Sequence, residues 1–381
     1  MIDLPLFFTP CTSVQYPKDS LGAKVVFDAQ NTEEIERGSI CIFHVKEYRG
    51  REDDSFNSTE GLPFRKHLYK LFPHAHWRLS IYDLGDLSAG ETIQDTYFAV
   101  QTIITELIKK SCIPILVGGS LDLIYPLAIG YETTEQLVNI CSIDEQLNLG
   151  KPDEPLTSQS YLSALLLRRP CYLFNHSSIG IQPNANAAED LSIYEKLFFD
   201  VCRLGAFNSD FRLAEPYIRY ADILTMNLNS LKVAERMLTE GNPNGFTVEQ
   251  FCRVAKYAGF SDKMSSFALL NPHLGMGIDA SIAAQVIWYF LEGVEDRCGD
   301  FPVGSKKDYL RFTVILNNEF NEIVFYKSNK SERWWMEVPY PPTQNQQFER
   351  HHLVPCDKKD YDNAMNNELP DLWWRTYQKL G

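Results

Sequence analysis

Short apolar runs alternate with helical patterns along most of this 381-residue sequence. The apolar runs, which have the length of buried strands, are residues 40–45, 77–82, 114–117, 138–143, 171–175 and 223–227. Apolar residues at helical spacing fall between and after them, in 62–72, 92–109, 184–204 and from 247 onward. Strands that alternate with helices form parallel sheets with helices on both faces. We therefore predict an α/β fold with three αβα layers around a mainly parallel sheet of roughly eight strands.

Polar segments lie at or directly after the ends of three predicted strands. They read G-G-S-L-D at 118–122, D-E-Q-L-N at 144–148 and N-L-N at 227–229. Ligands of open parallel sheets bind at the carboxyl ends of the strands. The sequence therefore predicts that these three segments share one site at that edge of the sheet.

In their order and strand context, the three segments resemble the metal-binding motifs G-G-D-H-S, D-A-H-x-D and S-x-D-x-D of the ureohydrolases, the family of arginase, agmatinase and formimidoylglutamase. Three further segments add to the likeness: Y-D-L-G-D at 82–86, G-I-Q at 180–182 and G-F-T-V-E at 245–249. The last two resemble the formimidoylglutamase branch. The resemblance spans residues 35–300 and implies an arginase-like fold.

In the family, as the resemblance implies, these motifs hold two manganese ions, and a bridging hydroxide attacks a guanidinium or formimino carbon. Carried over to this sequence, the six ligand positions are Leu121, Asp144, Gln146, Asn148, Asn227 and Asn229. Only Asp144 keeps the family's residue. A leucine and neutral amides do not neutralise the charge of two dications. The substrate-holding glutamate of the family is also replaced, by Leu269. We therefore expect a scaffold without its metals and no cofactor.

The predicted pocket at the former metal site comprises Ser120, Leu121, Asp122, Asp144, Glu145, Gln146, Asn148, Asn227, Asn229 and Leu269. Asp122, Asp144 and Glu145 are candidates for a residual cation site, because clustered carboxylates bind hard cations. The alternative is that they are hydrogen-bonded or solvated residues at strand ends. His176 is a candidate general base with Asp144; the alternative is a polar loop histidine without a catalytic role.

The leading functional hypothesis is a non-catalytic ureohydrolase-like protein, a pseudoenzyme, which binds an unidentified protein or small molecule. One alternative is an active hydrolase of linear amidines, of the formimidoylglutamase or arginase type, with manganese in a rearranged site. Convergence of Asp122, Asp144, Glu145 and Asn229 on one ion would support that alternative. A second alternative is a structural subunit of a homo-oligomer, an assembly that the family resemblance favours.

The sequence changes character after residue 304. Two β-rich runs, 309–316 and 322–326, flank a polar segment and predict a β-hairpin. Two tryptophan pairs follow, Trp334-Trp335 and Trp373-Trp374. They predict either an interface with another protein, because aromatic residues dominate binding hot spots, or packing of the tail on its own domain. We therefore predict an arginase-like domain at 1–304, whose residues 1–35 are an irregular lead-in, and a C-terminal Trp-rich extension at 305–381.

The charge balance argues against two classes of partner. The chain has 36 basic and 50 acidic residues, and its net charge of −14 opposes binding to nucleic acid and to anionic membranes. Its nine cysteines are scattered without a C-x-x-C pair, which indicates reduced thiols. The N-terminus lacks the basic region and uninterrupted apolar run of a signal peptide. We therefore predict a cytoplasmic protein that binds neither nucleic acid nor membrane.

Overall fold

The protein is described from a computed structural model. The structure describes residues 3–11, 15–27, 29–51, 62–134, 137–151, 154–238, 240–273, 277–302, 306–317, 322–340 and 351–380. Within these ranges, no helix is both long enough and apolar enough to cross a membrane.

A ten-stranded sheet forms the centre of the molecule. Its strands are β1 (Phe8–Thr9), β2 (Val25–Val26), β3 (Ile40–Lys46), β4 (Ile81–Ser88), β5 (Ile113–Val117), β6 (Val138–Ile143), β7 (Leu173–Ile181), β8 (Asp200–Arg203), β9 (Ile223–Asn227) and β10 (Ser266–Leu270). They lie in the order β1-β4-β3-β5-β10-β9-β6-β7-β8, with β2 beside β4. Among the described strands of this sheet, only the short β1 pairs in the antiparallel sense. The predicted mainly parallel sheet is confirmed.

Helices cover both faces of this sheet. They are α1 (Arg65–Leu68), α2 (Ile93–Lys109), α3 (Ile124–Ile129), α4 (Tyr161–Leu167), α5 (Ala188–Lys196), α6 (Leu204–Ser209), α7 (Glu215–Tyr220), α8 (Val248–Gly259) and α9 (Gly277–Glu295). Side chains of β3 alternate between two apolar clusters: Ile40 and Ile42 belong to one, whereas Cys41 and Phe43 belong to the other. Because successive side chains of a strand point to opposite faces, the two clusters are the two layers of core. The three-layer αβα fold is confirmed.

Four predicted elements of the main domain differ clearly from the structure in their bounds. The strand predicted at 171–175 is β7, which begins at Leu173 and continues to Ile181. The strand predicted at 77–82 is β4, which begins at Ile81 and continues to Ser88, so that the D-L-G-D segment lies within the strand. The helix predicted at 62–72 is only the single turn of α1. The helix predicted to reach Leu204 ends at Lys196, and the edge strand β8 follows it. Helix α1 and strand β8 have only four residues each. Such short elements show no periodic pattern of apolar residues, so the sequence does not distinguish them from a neighbouring helix.

The C-terminal residues form a second, antiparallel sheet with two helices. Its strands are β11 (Tyr309–Ile315), β12 (Glu322–Ser328), β13 (Trp334–Pro339) and β14 (His351–Cys356), in that order. Helices α10 (Lys358–Met365) and α11 (Asp371–Leu380) follow. The antiparallel pairing of β11 with β12 confirms the predicted hairpin. Most of its polar connection, residues 318–321, lies outside the described residues.

Three of the four C-terminal tryptophans are buried within the protein. Trp334 and Trp373 belong to the apolar cluster that β11–β14 share with α10 and α11. Trp335 is 1% exposed on the opposite face of this small sheet, where the Arg219 guanidinium lies 4.6 Å from the ring centroid. For these three residues the burial favours the alternative, packing of the tail within the protein, because their apolar area is already covered by the chain itself. Trp374 is 38% exposed.

Candidate functional site

The carboxyl ends of β5, β6, β9 and β10 surround an open cleft of about 410 Å³. Its lining comprises Arg51, Leu121, Asp144, Glu145, Gln146, Asn148, Ser158, Gln159, Asn227, Asn229 and Asn271. Seven of these belong to the pocket predicted from the sequence. Parallel strands bring their carboxyl ends to one edge of the sheet, so residues that are far apart in the sequence meet there.

Asp144, at the end of β6, accepts hydrogen bonds on both carboxylate oxygens. Its Oδ1 accepts from the backbone N–H groups of Glu145 and Gln146, at 2.7 and 3.2 Å. Its Oδ2 accepts from the side-chain Nδ2 atoms of Asn148 and Asn227, at 3.0 and 2.9 Å. Burial raises the pKa of Asp144 to about 6, against the lowering effect of these four donors.

The amide oxygen of Asn227 is also occupied. It accepts from the Nδ2 of Asn271 at 3.1 Å and from the backbone N–H of Asn229 at 3.0 Å. Asn271 has a φ of 56°, in the left-handed region that asparagine tolerates better than most residues. The Oδ1 atom of Asn271 is buried and has no hydrogen-bond partner among the described residues. Because a buried acceptor without a donor costs free energy, this atom is a candidate acceptor for a further hydrogen bond.

A buried guanidinium lies beneath the cleft. Arg236 donates from Nη1 to the Oδ1 of Asn229 at 2.7 Å and to the backbone oxygen of Leu228 at 3.2 Å. Its Nε and Nη2 donate to the two carboxylate oxygens of Asp279, at 3.0 and 2.5 Å. Both charged side chains are almost fully buried. The guanidinium of Arg236 is therefore already hydrogen-bonded to the side-chain oxygen of Asn229. Asn229 is one of the six positions that align with the metal ligands of the family.

These donors do not fit a pair of manganese ions. A carboxylate oxygen can only accept, so the amide groups of Asn148 and Asn227 must turn their N–H sides toward Asp144. A hard dication needs anionic oxygens or imidazole nitrogens in those directions. Among the described residues, no three histidine, cysteine, aspartate or glutamate side chains are grouped to hold a metal ion. Among the described residues, Asp122, Asp144 and Glu145 are therefore not grouped around one point, which favours the alternative of hydrogen-bonded residues at strand ends.

Asp122 has partners of its own, away from Asp144. It is fully buried, and its two oxygens accept from the hydroxyl groups of Tyr97 at 2.7 Å and Ser158 at 3.2 Å. A Cβ on Gly50 would lie 2.0 Å from its Oδ1. Burial raises the pKa of Asp122. This carboxyl group supports the cleft wall from behind.

Two further residues of the predicted pocket lie behind the cleft surface. Ser120 is fully buried, and its backbone N–H donates to the backbone oxygen of Glu47 at 3.0 Å. Leu269 is fully buried in the central strand β10. Both residues therefore support the strand ends, and neither belongs to the lining.

Glu145 is a second acidic group in the lining. It is half-buried, and its carboxylate accepts from the side-chain amides of Gln182, at 3.3 Å, and Asn242. Burial, followed by the negative charge of neighbouring Asp144, raises the pKa of Glu145 to about 7. The side chain can therefore gain or lose a proton near neutral pH.

His176 lies in the middle of β7 and not in a loop after a strand. It is fully buried, with Nε2 3.1 Å from the hydroxyl of Ser142 and Nδ1 hydrogen-bonded to the hydroxyl of Tyr194. Burial lowers the pKa of this imidazole to about 3. Its two nitrogens are engaged in the core and it does not belong to the cleft lining, which favours the alternative of a histidine without a catalytic role, here in a strand and not in a loop.

Arg51 is the one cationic residue in the described lining, and it was not among the residues predicted from the sequence. The loop that carries it follows β3. Ser158 donates its backbone N–H to the oxygen of Gly50 at 2.8 Å, and Arg51 Nη1 lies 3.5 Å from the backbone oxygen of Pro272. The position of Arg51 after the end of a predicted strand was the sequence signal that could have placed it at the cleft. Asn271, likewise absent from the predicted pocket, lies two residues after Leu269 in the L-L-N-P segment at 269–272.

No family model matches this sequence, and no curated protein matches it by sequence. Solved structures do match. Formiminoglutamase of Trypanosoma cruzi with Mn²⁺ superimposes with a TM-score of 0.62 at 15% identity, over 71% of this chain and 97% of that one. Formimidoylglutamase of Bacillus subtilis gives 0.64 at 13% identity, over 77% and 98%.

The agmatine ureohydrolase of Thermoplasma volcanium is similar as well, with a TM-score of 0.56 at 13% identity, over 75% of this chain and 96% of that one. One of the similar Trypanosoma cruzi structures is described as an arginase superfamily protein. The chain therefore has the arginase-like fold of the ureohydrolases. At these identities the likeness concerns the fold, and the chemistry of the cleft has to be argued from its own residues.

Proposed function

We propose that this protein binds a small polar molecule in the cleft and performs no manganese-dependent hydrolysis. One observation carries the proposal: Asp144, the only acidic ligand position retained, has its Oδ2 satisfied by the amide N–H groups of Asn148 and Asn227. The fold supplies a preformed depression at the strand ends, where α/β proteins bind ligands. The cleft of this chain therefore lies at the usual strand ends, but its side chains offer amide groups where the family motifs have metal ligands.

The case against hydrolysis rests on charge. The family mechanism requires a bound water whose pKa is lowered from about 15.7 to about 7 by metal ions. Here the neutral oxygens of Asn227 and Asn229 accept from Asn271 and Arg236. A dication at these atoms would have to displace the donors and lie close to a guanidinium. Both changes oppose metal binding.

Two groups of the cleft lining, Asn271 and Arg51, indicate the class of ligand that the cleft would bind. The buried Oδ1 of Asn271 requires an N–H or O–H donor. Arg51 adds a positive charge to the lining, and guanidinium groups favour carboxylate and phosphate partners. The ligand class that fits is a small molecule with a hydrogen-bond donor at one end and an anionic or strongly accepting group at the other.

Metal content after manganese loading tests the proposal. The full chain is incubated with excess Mn²⁺, freed of unbound ion and analysed for metal per protein. We expect well below one manganese per chain. The triple variant Leu121→His, Asn148→Asp and Asn227→Asp is the matched control, because it restores three family donors and should retain more manganese than the wild type. A wild-type content near two manganese per chain would refute the proposal and favour the alternative of an active hydrolase.

Ligand binding is tested separately. A thermal-shift screen compares simple carboxylates, carboxamides, hydroxy acids and amidines on the wild type and on Asn271→Leu. We expect stabilisation by compounds that combine a donor with an anionic group, and loss of that stabilisation in Asn271→Leu. The Phe98→Leu variant serves as a control, because Phe98 is exposed on α2. Equal shifts in wild type and Asn271→Leu would contradict a role for the cleft.

A further inference from the structure

Strand β11 forms one edge of the C-terminal sheet. Its seven residues pair in full register with β12 on one side, from Tyr309 opposite Ser328 to Ile315 opposite Glu322. In the described part of the chain, no strand pairs with the other side. The strand therefore presents backbone groups that a further strand could use.

Two backbone hydrogen bonds show which groups of β11 point outward. Asn329 donates its N–H to the oxygen of Asp308 at 2.9 Å, so residue 308 faces β12. The N–H of Tyr309 points away from β12 and donates to the backbone oxygen of Lys306 at 3.2 Å. Because backbone groups alternate sides along a strand, the odd-numbered residues of β11 face outward. Those beyond Tyr309 are Arg311, Thr313 and Ile315.

The usual protection of an edge strand is weak here. Natural edge strands carry prolines, lysines, bulges or inward-pointing charges, which prevent pairing with another chain. Strand β11 has no proline, its pairing with β12 shows no bulge, and Arg311 is its only charge. Leu310 is 50% exposed on one face of the sheet, and Ile315 is 79% exposed on the other. Apolar side chains therefore flank an open row of donors and acceptors.

We propose that β11 pairs antiparallel with β11 of a second copy of this chain, across a two-fold axis perpendicular to the sheet. Such an axis keeps each face of the sheet on the same side and places one residue opposite its own copy. A register centred on Arg311 would oppose two guanidinium groups, which is unfavourable. The register centred on Phe312 places Arg311 opposite Thr313 of the second copy.

This register gives favourable side-chain pairs and also provides acceptors for the outward backbone N–H groups. The two Phe312 side chains meet at a pair without backbone hydrogen bonds, where cross-strand side chains are closest. Tyr309 lies opposite Ile315 of the second copy, an aromatic pair with a β-branched residue, which is stabilising. The outward N–H groups of Arg311, Thr313 and Ile315 all gain acceptors. The two small sheets become one continuous sheet, and this interface does not depend on the ligand of the cleft.

Sedimentation velocity at physiological salt tests the proposal with variants of the outward residues. Thr313→Pro removes a backbone N–H group that points away from β12. No hydrogen bond between β11 and β12 is lost. Ile315→Lys places a charge on an exposed side chain, so the monomer should keep its fold. The control is Phe98→Lys, because Phe98 is 66% exposed on helix α2, which is not part of the C-terminal sheet.

We expect a wild-type dimer at micromolar concentration, a dimer of Phe98→Lys, and a dissociation constant at least about tenfold higher for Thr313→Pro and Ile315→Lys. Unchanged far-ultraviolet circular dichroism would show that the variants remain folded. A monomeric wild type would overturn the proposal. So would a dimer that both β11 variants leave intact, because its interface would lie elsewhere.

Discussion

Asn227 Nδ2 lies 2.9 Å from Asp144 Oδ2 and donates to it, across 83 residues of sequence. In the family motifs that these positions resemble, both residues are aspartates. Here an amide proton takes the direction in which a cation would approach the carboxylate. This single contact links the retained fold to the changed chemistry, and it gives the first prediction.

Replacing Asn227 with aspartate should destabilise the protein, and more strongly at alkaline pH. The variant removes a donor and places a second carboxylate against buried Asp144, so the free energy of unfolding should fall by about 1–3 kcal/mol at pH 8. At pH 5.5 a protonated carboxyl can still donate, and the loss should be smaller. Urea denaturation at the two pH values measures this. Asn363→Asp, at an exposed site on α10, is the control. An equal loss in both variants would contradict the contact.

The two acidic residues of the cleft should lower stability as the pH rises. Their pKa values are raised in the folded state, from 3.8 to about 6 for Asp144 and from 4.5 to about 7 for Glu145. The folded chain therefore holds more protons than the unfolded chain between about pH 4 and pH 7. Their contribution is fully present below the unfolded pKa values and is lost as the pH rises through the folded ones.

The variant Glu145→Gln tests this pH dependence. Unfolding free energies measured from pH 4 to pH 8 should fall less steeply between pH 4.5 and pH 7 in the variant than in the wild type. Glu249→Gln is the control, because Glu249 is an exposed glutamate at the start of α8. Parallel curves for wild type and Glu145→Gln would show that Glu145 does not titrate in this way.

The Arg236–Asp279 pair should show strong energetic coupling. Its two charges are nearly fully buried and joined by two hydrogen bonds. Removing one partner leaves an unpaired buried charge, so Arg236→Met should cost about 3–5 kcal/mol of stability. The double variant Arg236→Met, Asp279→Leu should cost less than the sum of the single variants. Additive losses in urea denaturation would disprove the coupling.

Gly50 should be intolerant of a side chain, although its φ angle is not in the left-handed region. A Cβ there would lie 2.0 Å from Asp122 Oδ1 and would displace the loop that carries Arg51. We expect Gly50→Ala to lose about 1–3 kcal/mol of stability. Gly205→Ala, in α6, meets no atom within 4 Å and should be neutral or stabilising. Thermal unfolding of both variants checks this, and a stable Gly50→Ala would show that the loop has room to move.

Much of the fold could be predicted from local patterns. The long helix α2 and the strands β3, β5, β6 and β9 follow from periodicity and from continuous apolar runs. The two long strands that were misplaced contain polar residues which are buried by tertiary contacts. In β7, for example, His176 and Ser178 are buried against Tyr194 of α5, so the apolar pattern was interrupted and the strand appeared to end early.

The sequence alone determined that the polar segments at 118–122, 144–148 and 227–229 lie at the ends of strands, because strand periodicity is local and parallel strands end at one edge. Only the tertiary structure decided what those segments do there. It directed Asn148 and Asn227 toward Asp144, placed Arg236 beneath Asn229 and brought Arg51 into the lining. The reason is that hydrogen-bond direction and burial depend on partners from distant parts of the chain, which a sequence pattern does not specify.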